Sequence, residues 1–513
     1  MNKRNTQSKA RPLELLAAFT IAAAVFYMMI RAVFTVYFEG TATERIFVII
    51  FLLCETFVML HGISYFYGLY RLDRVKKTGP LPVDNTSSPS VAVLIPARHE
   101  PQEILENTIS NASYLSYPNK TIYLLDDSSI QEYKDQAQAI AEKYYCVLFR
   151  RENRHGAKAG VVNDCIKQLD AKYVAIFDVD QSPMDGFLAR TIPVLEGNPD
   201  LAFIQTPQYY SHLIPSKVSH AANMQQAVFY EYICEFKNID QSVICCGTNV
   251  VLQTEALRQV GGFDESSVTE DFATSLKLHA KGWKSIYDRR VSAIGQGPLN
   301  LSSYLAQQNR WAMGNTQVLK KVLLTFLSKP KALNPLQWAE YFITGSYYLV
   351  GWAYIGLMLF PVLYIFFSIP SFYMNPVIYG LTYIPYLVFA KFAFYSSMKK
   401  LDYTYPQIWQ SQLLMFISLP TYVVATFAGF LGLKNTFKIT NKERIGNVPY
   451  LQLWPQIVLC MINLSAIVWG VSRFMYERNV GLLISCGWIA YHFFQLLSVF
   501  YFNEDVEKVT QAV

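Results

Sequence analysis

Charge is scarce in this chain. Only 16% of its 513 residues are Asp, Glu, Lys or Arg, where soluble proteins carry about 25%, so a freely soluble globular domain is excluded as the whole account. CxxC pairs are missing too. The eight cysteines and seven histidines fall into no zinc-ligand spacing, which argues against a structural zinc site or a redox motif. Adjacent Cys245 and Cys246 make a poor disulfide, and all eight thiols are expected to be reduced, inside the cell or within a membrane. Strong charge imbalance is absent as well. A net charge of +6 gives no case for nucleic acid, and the excess Lys and Arg better serves to hold cytoplasmic loops against an anionic leaflet.

What the chain has instead is apolar length. A membrane span needs about 20 apolar residues, and runs at roughly 13–37, 46–70, 345–368, 376–397, 450–473 and 479–502 qualify. The first follows a basic start and is too long for a signal-peptide core, so it reads as a retained anchor. The loop "YFEGTATE" carries no Lys or Arg, so the positive-inside rule puts the long polar insert in the cytoplasm of a multi-pass protein. Residues 405–433 are ambiguous: as a span they would place Lys434, Lys438, Lys442 and Arg444 outside, so an interface or re-entrant segment is preferred. The expected division is 1–72, two spans; 73–300, a soluble domain; 301–344, interface helices; 345–398, a pair of spans; 399–433, the ambiguous segment; 434–447, a loop; 448–503, a second pair; and 504–513, a tail.

Within the insert, "VAVLIPA", "TIYLLDD", "YVAIFDVD" and "LAFIQTP" alternate with helical patterns, which predicts a mostly parallel α/β sheet. Asp178 and Asp180 follow one predicted strand, where α/β crevices bind ligands, and their oxygens suit Mg²⁺ or Mn²⁺. A surface turn carries the same pattern. Asp126 and Asp127 end another strand, in a ligand crevice or as caps to the next helix. "RRENRHGAKAG" gathers Arg150, Arg151, Arg154, His155 and Lys158 around glycines, either for phosphates or as a solvated loop. Glu270 and Asp271 open a predicted helix, as a general base or as plain capping acids. In "QQNRWAMG" an amide, a cation and an indole stand just ahead of the apolar runs, where Arg and Trp also favour a headgroup layer.

Taken in order, "HGAKAG", "FDVD", "FIQTPQ", "CCGTN", "TEDFATSLKLHAKGW", "QQNRW" and "FKITNK" resemble the processive family 2 glycosyltransferases, above all bacterial cellulose synthases and related β-glucan synthases. The resemblance covers roughly residues 90–450. It implies an α/β GT-A, Rossmann-like cytosolic domain inserted in a transmembrane helical bundle of about six spans plus interface helices, at the plasma membrane. It further implies UDP-glucose as donor, Mg²⁺ or Mn²⁺ as cofactor and a growing β-glucan threaded into the bilayer. By similarity, Asp126 or Asp127 would contact the uracil with Glu100 nearby, and Lys158 the nucleotide. Asp178 would hold the nucleotide sugar and, with Asp180, the metal. Asp271 would be the general base, with Glu270 and Thr269 framing it. Gln307 and Arg310 would face the pyrophosphate, Trp311, Cys246 and Gly247 the acceptor, and Thr440 and Lys442 of a gating loop the nucleotide.

The chain departs from that family at Arg98 and His99, where Tyr and Asn are usual, and at Gln181, where cellulose synthases usually carry His. A PilZ domain reading cyclic-di-GMP is not expected after "NEDVEKVTQAV". Rival expectations are a UDP-N-acetylhexosamine polymer synthase of chitin or hyaluronan type, a non-processive transferase acting on a lipid or primer, and a non-catalytic membrane scaffold or transporter.

Overall fold

A computed structural model describes residues 11–72, 82–210, 216–370, 373–433 and 447–504. Six of its helices are long and apolar enough to cross a membrane: Pro12–Val36, Ala42–Leu72, Pro335–Phe367, Pro376–Lys399, Tyr450–Glu477 and Val480–Phe502. The third begins at Pro335, ahead of the expected 345, because Asn334 caps the helix and the turn at Tyr347–Leu349 tightens without ending it. Residues 405–433 form two helices, Tyr405–Ile417 and Leu419–Leu431, bent by 46°, a broken span or a re-entrant segment. The first two helices are clamped by a buried ion pair, Arg31 Nε to Glu55 at 2.9 Å, to which the Tyr27 hydroxyl donates at 2.6 Å. A charge this deep is tolerated only when paired.

The insert folds around a seven-stranded sheet. Its strands are β1 (Val91–Ala97), β2 (Lys120–Asp126), β3 (Val147–Phe149), β4 (Tyr173–Ile176), β6 (Leu201–Gln205), β8 (Val250–Gln253) and β9 (Lys284–Tyr287), in the order β3-β2-β1-β4-β8-β6-β9. Short β5 (Gln181–Pro183), β7 (Tyr209–Tyr210) and β10 (Ala293–Gly295) make a second sheet. Successive residues of a strand face opposite sides, and here both sides are dry. Val93, Ile95 and Leu124 pack on Leu105 and Ile109, whereas Leu94, Leu125 and Val174 pack on Val161 and Val162. That is why these strands read as continuous apolar runs.

The sheet is mostly parallel, as expected, with one reversal: β8 runs antiparallel to both β4 and β6. The reversal matters for the site. Ile176 at the end of β4 pairs with Val250 at the start of β8, so the loop before β8 lies beside the residues after β4. The domain is fastened to the helices by polar contacts. Arg71 grips Asp240 with two bonds of 2.9 and 2.7 Å, and buried Lys237 donates to Glu340 and Thr344 at 2.8 and 2.7 Å.

Candidate active site

The carboxyl ends of β1, β2 and β4 share one edge, with Ala97 level with Asp126. Beyond that edge opens a cavity of about 1540 Å³. Asp178 enters it just after β4, its N–H donating to Thr248 Oγ1 at 2.8 Å. Lys158, in the first turn of the Ala157–Gln168 helix, donates to Asp178 and to the Gly247 carbonyl, the latter at 2.9 Å. Gly247 has φ +80°, and a Cβ there would sit 2.9 Å from Asp271 Oδ2. A side chain at 247 would therefore meet both a strained backbone and a carboxylate.

Glu270 and Asp271 open the Glu270–Ala280 helix, where the Phe272 N–H donates to Asp271 Oδ1 at 2.7 Å. A helix N-terminus favours the charged carboxylate. Withdrawal from bulk water and the neighbouring Glu270 charge outweigh it, pushing Asp271 up to about 7. Desolvation raises Glu270 as well. Lys158 is pulled down by burial, yet Asp178 and then Glu270 leave it above its ordinary value.

The other acid pair is placed differently. Asp127 receives two bonds from Arg151, at 2.9 and 3.0 Å, with Arg154 at 3.5 Å; Asp126 receives Arg150 at 2.8 Å and the Ser128 N–H at 3.0 Å. Asp127 lines the cavity, and Asp126 is not among the lining residues. Arg150 and Arg151, grouped in the sequence with a phosphate loop, are thus committed to these aspartates. Arg98 and Glu100 also line the cavity beyond β1, while the Ser129 N–H donates to His99 Nε2 at 2.8 Å.

Gln307, Arg310 and Trp311 all lie on the Leu301–Ser328 helix, started by a reciprocal cap between Asn300 and Ser303. Spacings of three and four put them on one face, and all three line the cavity. Gly314 lets this helix approach the acids: a Cβ there would fall 2.5 Å from the Thr269 methyl. From here the cavity continues past Cys246 to Tyr65, Tyr348, Phe394 and Tyr422 on the apolar helices. Thr440 and Lys442 lie outside the described residues.

Two residues were given no role from the sequence, although Gln205 lies within "FIQTPQ". Gln205 is wholly buried and braces the "CCGTN" loop, accepting from the Cys246 N–H at 2.8 Å and donating to the Thr248 carbonyl at 2.9 Å. A lone amide ending an apolar strand was the available signal. Tyr210, bonded by Gln226 at 2.9 Å, sits among Asp180, Gln307 and Arg310, and burial pushes its phenol up to about 12.

Asp178 and Asp180 offer hard oxygen donors to a divalent cation. Among the described residues no group of three or more His, Cys, Asp or Glu side chains is placed to hold a metal. A two-carboxylate site of this kind fits Mg²⁺ or Mn²⁺ bound together with substrate phosphates.

Residues 173–428 match the profile described as "Glycosyl transferase family group 2". A cellulose synthase 1 catalytic subunit (UDP-forming) of Komagataeibacter xylinus is 24% identical over 519 residues, covering 98% of this chain and 67% of the relative. The corresponding subunit of Xanthomonas axonopodis pv. citri (strain 306) is 33% identical over 268 residues, 50% of this chain and 35% of its own. Against three other curated relatives, cellulose synthases of Komagataeibacter xylinus and Novacetimonas hansenii, the chain spans only 26–30% of their length. Among solved structures, a mannosyltransferase of Pyrobaculum calidifontis, in complex with GDP-Man and Mn²⁺, superposes with a TM-score of 0.53 at 18% identity, over 74% of this chain and 99% of that one.

Proposed function

We propose that this chain, which carries a family 2 glycosyltransferase domain of GT-A fold, polymerises a β-glucan from UDP-glucose and passes the product across the plasma membrane. The observation that carries this reading is one continuous cavity, running from the strand-end acids past Trp311 to aromatic residues on the apolar helices. A soluble transferase would have no use for the second half. The UDP-forming relatives support the donor, and the Mn²⁺-bound structural neighbour supports a divalent metal.

The reaction is a single inverting displacement. Asp271, the general base, takes the proton of the acceptor's terminal hydroxyl as that oxygen attacks the anomeric carbon from the face opposite the diphosphate. The bond from that carbon to the phosphate oxygen breaks, and UDP leaves. Asp178 and Asp180 would hold Mg²⁺ or Mn²⁺, whose charge, when bound, offsets that of the departing diphosphate. Lys158 and Arg310 add cations at the donor, with Gln307 beside Arg310; Arg suits bidentate bonding to phosphate. Asp127 and Glu100 face the nucleotide end, Asp126 holds Arg150 beside them, and Glu270 raises the basicity of Asp271. Trp311 offers an apolar face to the terminal sugar, with Cys246 and Gly247 beside it. Thr440 and Lys442 would contact the bound nucleotide. The domain faces the cytoplasm, where nucleotide sugars are supplied.

Purified protein in lipid, given UDP-glucose or UDP-N-acetylglucosamine with Mg²⁺ or Mn²⁺, should convert UDP-glucose to a polymer that linkage-specific β-glucanases digest. Polymer from the N-acetylated donor alone, or UDP release without polymer, would overturn the reading. Trp311→Ala should shorten the product more than it weakens UDP binding; unchanged length counts against the acceptor role.

A further inference from the structure

His155 stands between two loops that carry the chemistry. Its Nδ1 lies 2.7 Å from Glu265 Oε2 and its Nε2 lies 2.8 Å from Asp164 Oδ2. A neutral imidazole has one N–H and one lone pair, so it would turn that lone pair against a carboxylate. Only the doubly protonated ring satisfies both contacts. The loop is shaped for this arrangement. Gly156 has φ +58°, and a Cβ there would fall 2.4 Å from the Glu265 carboxylate; a Cβ on Gly160 would strike the His155 carbonyl at 2.0 Å. That carbonyl is itself held by Arg151, at 2.6 Å.

We propose that His155 is a positioning residue: as an imidazolium it staples the start of the helix that carries Lys158 to the loop that leads to Glu270 and Asp271, and it loosens that link when it loses its proton. On one side, Lys158 follows His155 by one turn of chain. On the other, Glu265 is also held by Asn163, on the same helix as Lys158, which donates to it at 2.8 Å and exchanges bonds with the Phe263 backbone at 3.0 and 2.7 Å, so a tether that does not titrate remains beside the histidine. The charged groups around the ring are Asp164 on the helix that follows it, Glu265 on the opposite loop, Arg151 at 3.7 Å from Asp164, and Lys167 at 3.0 Å from Asp164. The Glu265 bond and then the Asp164 charge hold the imidazole above its ordinary value, so the staple stays closed to a higher pH than a free imidazole would allow. Once the proton is lost one contact turns repulsive, and the two segments are held there by the Asn163 bonds alone. The donor then meets a helix start, with Lys158 on it, held less firmly against the loop of the acids. The effect falls on donor binding, not on the displacement itself, so KM rises while kcat changes little.

The inference rests on the transferase reading for its consequence but not for its test. Hydrogen exchange of segments 150–165 and 260–272, corrected for intrinsic pH dependence, is followed in the full-length protein in lipid from about pH 6 to pH 9, around the imidazole range, with UDP affinity measured in parallel. In the native protein both protection and affinity should fall with pH, by up to about tenfold per unit for one linked proton. His155→Gln should be weakly protected and flat with pH. His155→Arg, a permanent cation, should stay protected and flat. Should an arginine not pack, Asp164→Asn serves instead: a neutral imidazole then satisfies Glu265 alone, and the pH at which protection is lost moves. A pH-independent native profile, or the same loss in both His155 variants, overturns the proposal. Absence of UDP binding at every pH, with exchange still pH-linked, overturns the transferase reading and leaves the staple standing.

Discussion

Asp126–Asp127 and Glu270–Asp271 are both adjacent acid pairs, one at the end of a strand and the other at the start of a helix, beside the same cavity. The first pair is met by Arg150, Arg151 and Arg154. The second stands near a third carboxylate, Asp178; Lys158, which faces the pair, is already bonded to that carboxylate, and Arg310 acts on Glu270 alone of the two. Charge balance separates a pair that holds the wall together from one kept short of counter-charge and therefore basic. The difference lies in what crosses over from elsewhere in the chain.

The comparison can be broken in four ways. Asp271→Asn removes the underbalanced charge and should cut transfer by about 10²–10⁴-fold, the usual contribution of a general base, while UDP still binds; full turnover would end the base assignment. Arg151→Met removes the balancing charge from the other pair. It leaves Asp127 buried without its main partner, which should cost about 3–5 kcal/mol of stability, read as a lower thermal midpoint. The rate of transfer should rise with pH through a limb near 7, because protonated Asp271 cannot accept a proton, and fall about tenfold per unit below it. The sign for stability is opposite: a carboxyl raised by the fold favours its neutral form, so its contribution is lost as pH climbs through about 7. A limb near 4 would mean the acid is well solvated. Smallest is Gly247→Ala, which strains φ +80° by about 1–2 kcal/mol and crowds Asp271. It should slow transfer about tenfold with little change in UDP affinity.

Much of this was legible in the sequence because it follows from short-range patterns. Apolar runs placed the six long helices, and strand-end acids placed Asp127 and Asp178 at the cavity. The spacing of Gln307, Arg310 and Trp311 put them on one face. What was not legible depends on contacts between distant residues. Arg150 and Arg151 reach back 24 residues to the aspartates, and nothing local tells such a pair from a phosphate site. The antiparallel β8 was hidden because both of its neighbours are as apolar as parallel strands are. Gln205 carries no period at all; its role exists only once the loop before β8 is folded over it.

The Leu301–Ser328 helix runs unbroken through Gln307 and Trp311. At 1.5 Å per residue the two are about 6 Å apart along the axis, a separation no side-chain rotation can stretch. With Gln307 at the donor and Trp311 at the acceptor, as proposed, the helix is a ruler whose two marks are graduated on one rod. One residue inserted between those marks would swing the indole about 100° around the axis, away from the cavity. Evolution can retune the chemistry by exchanging side chains on this rod, but it cannot change the count between them.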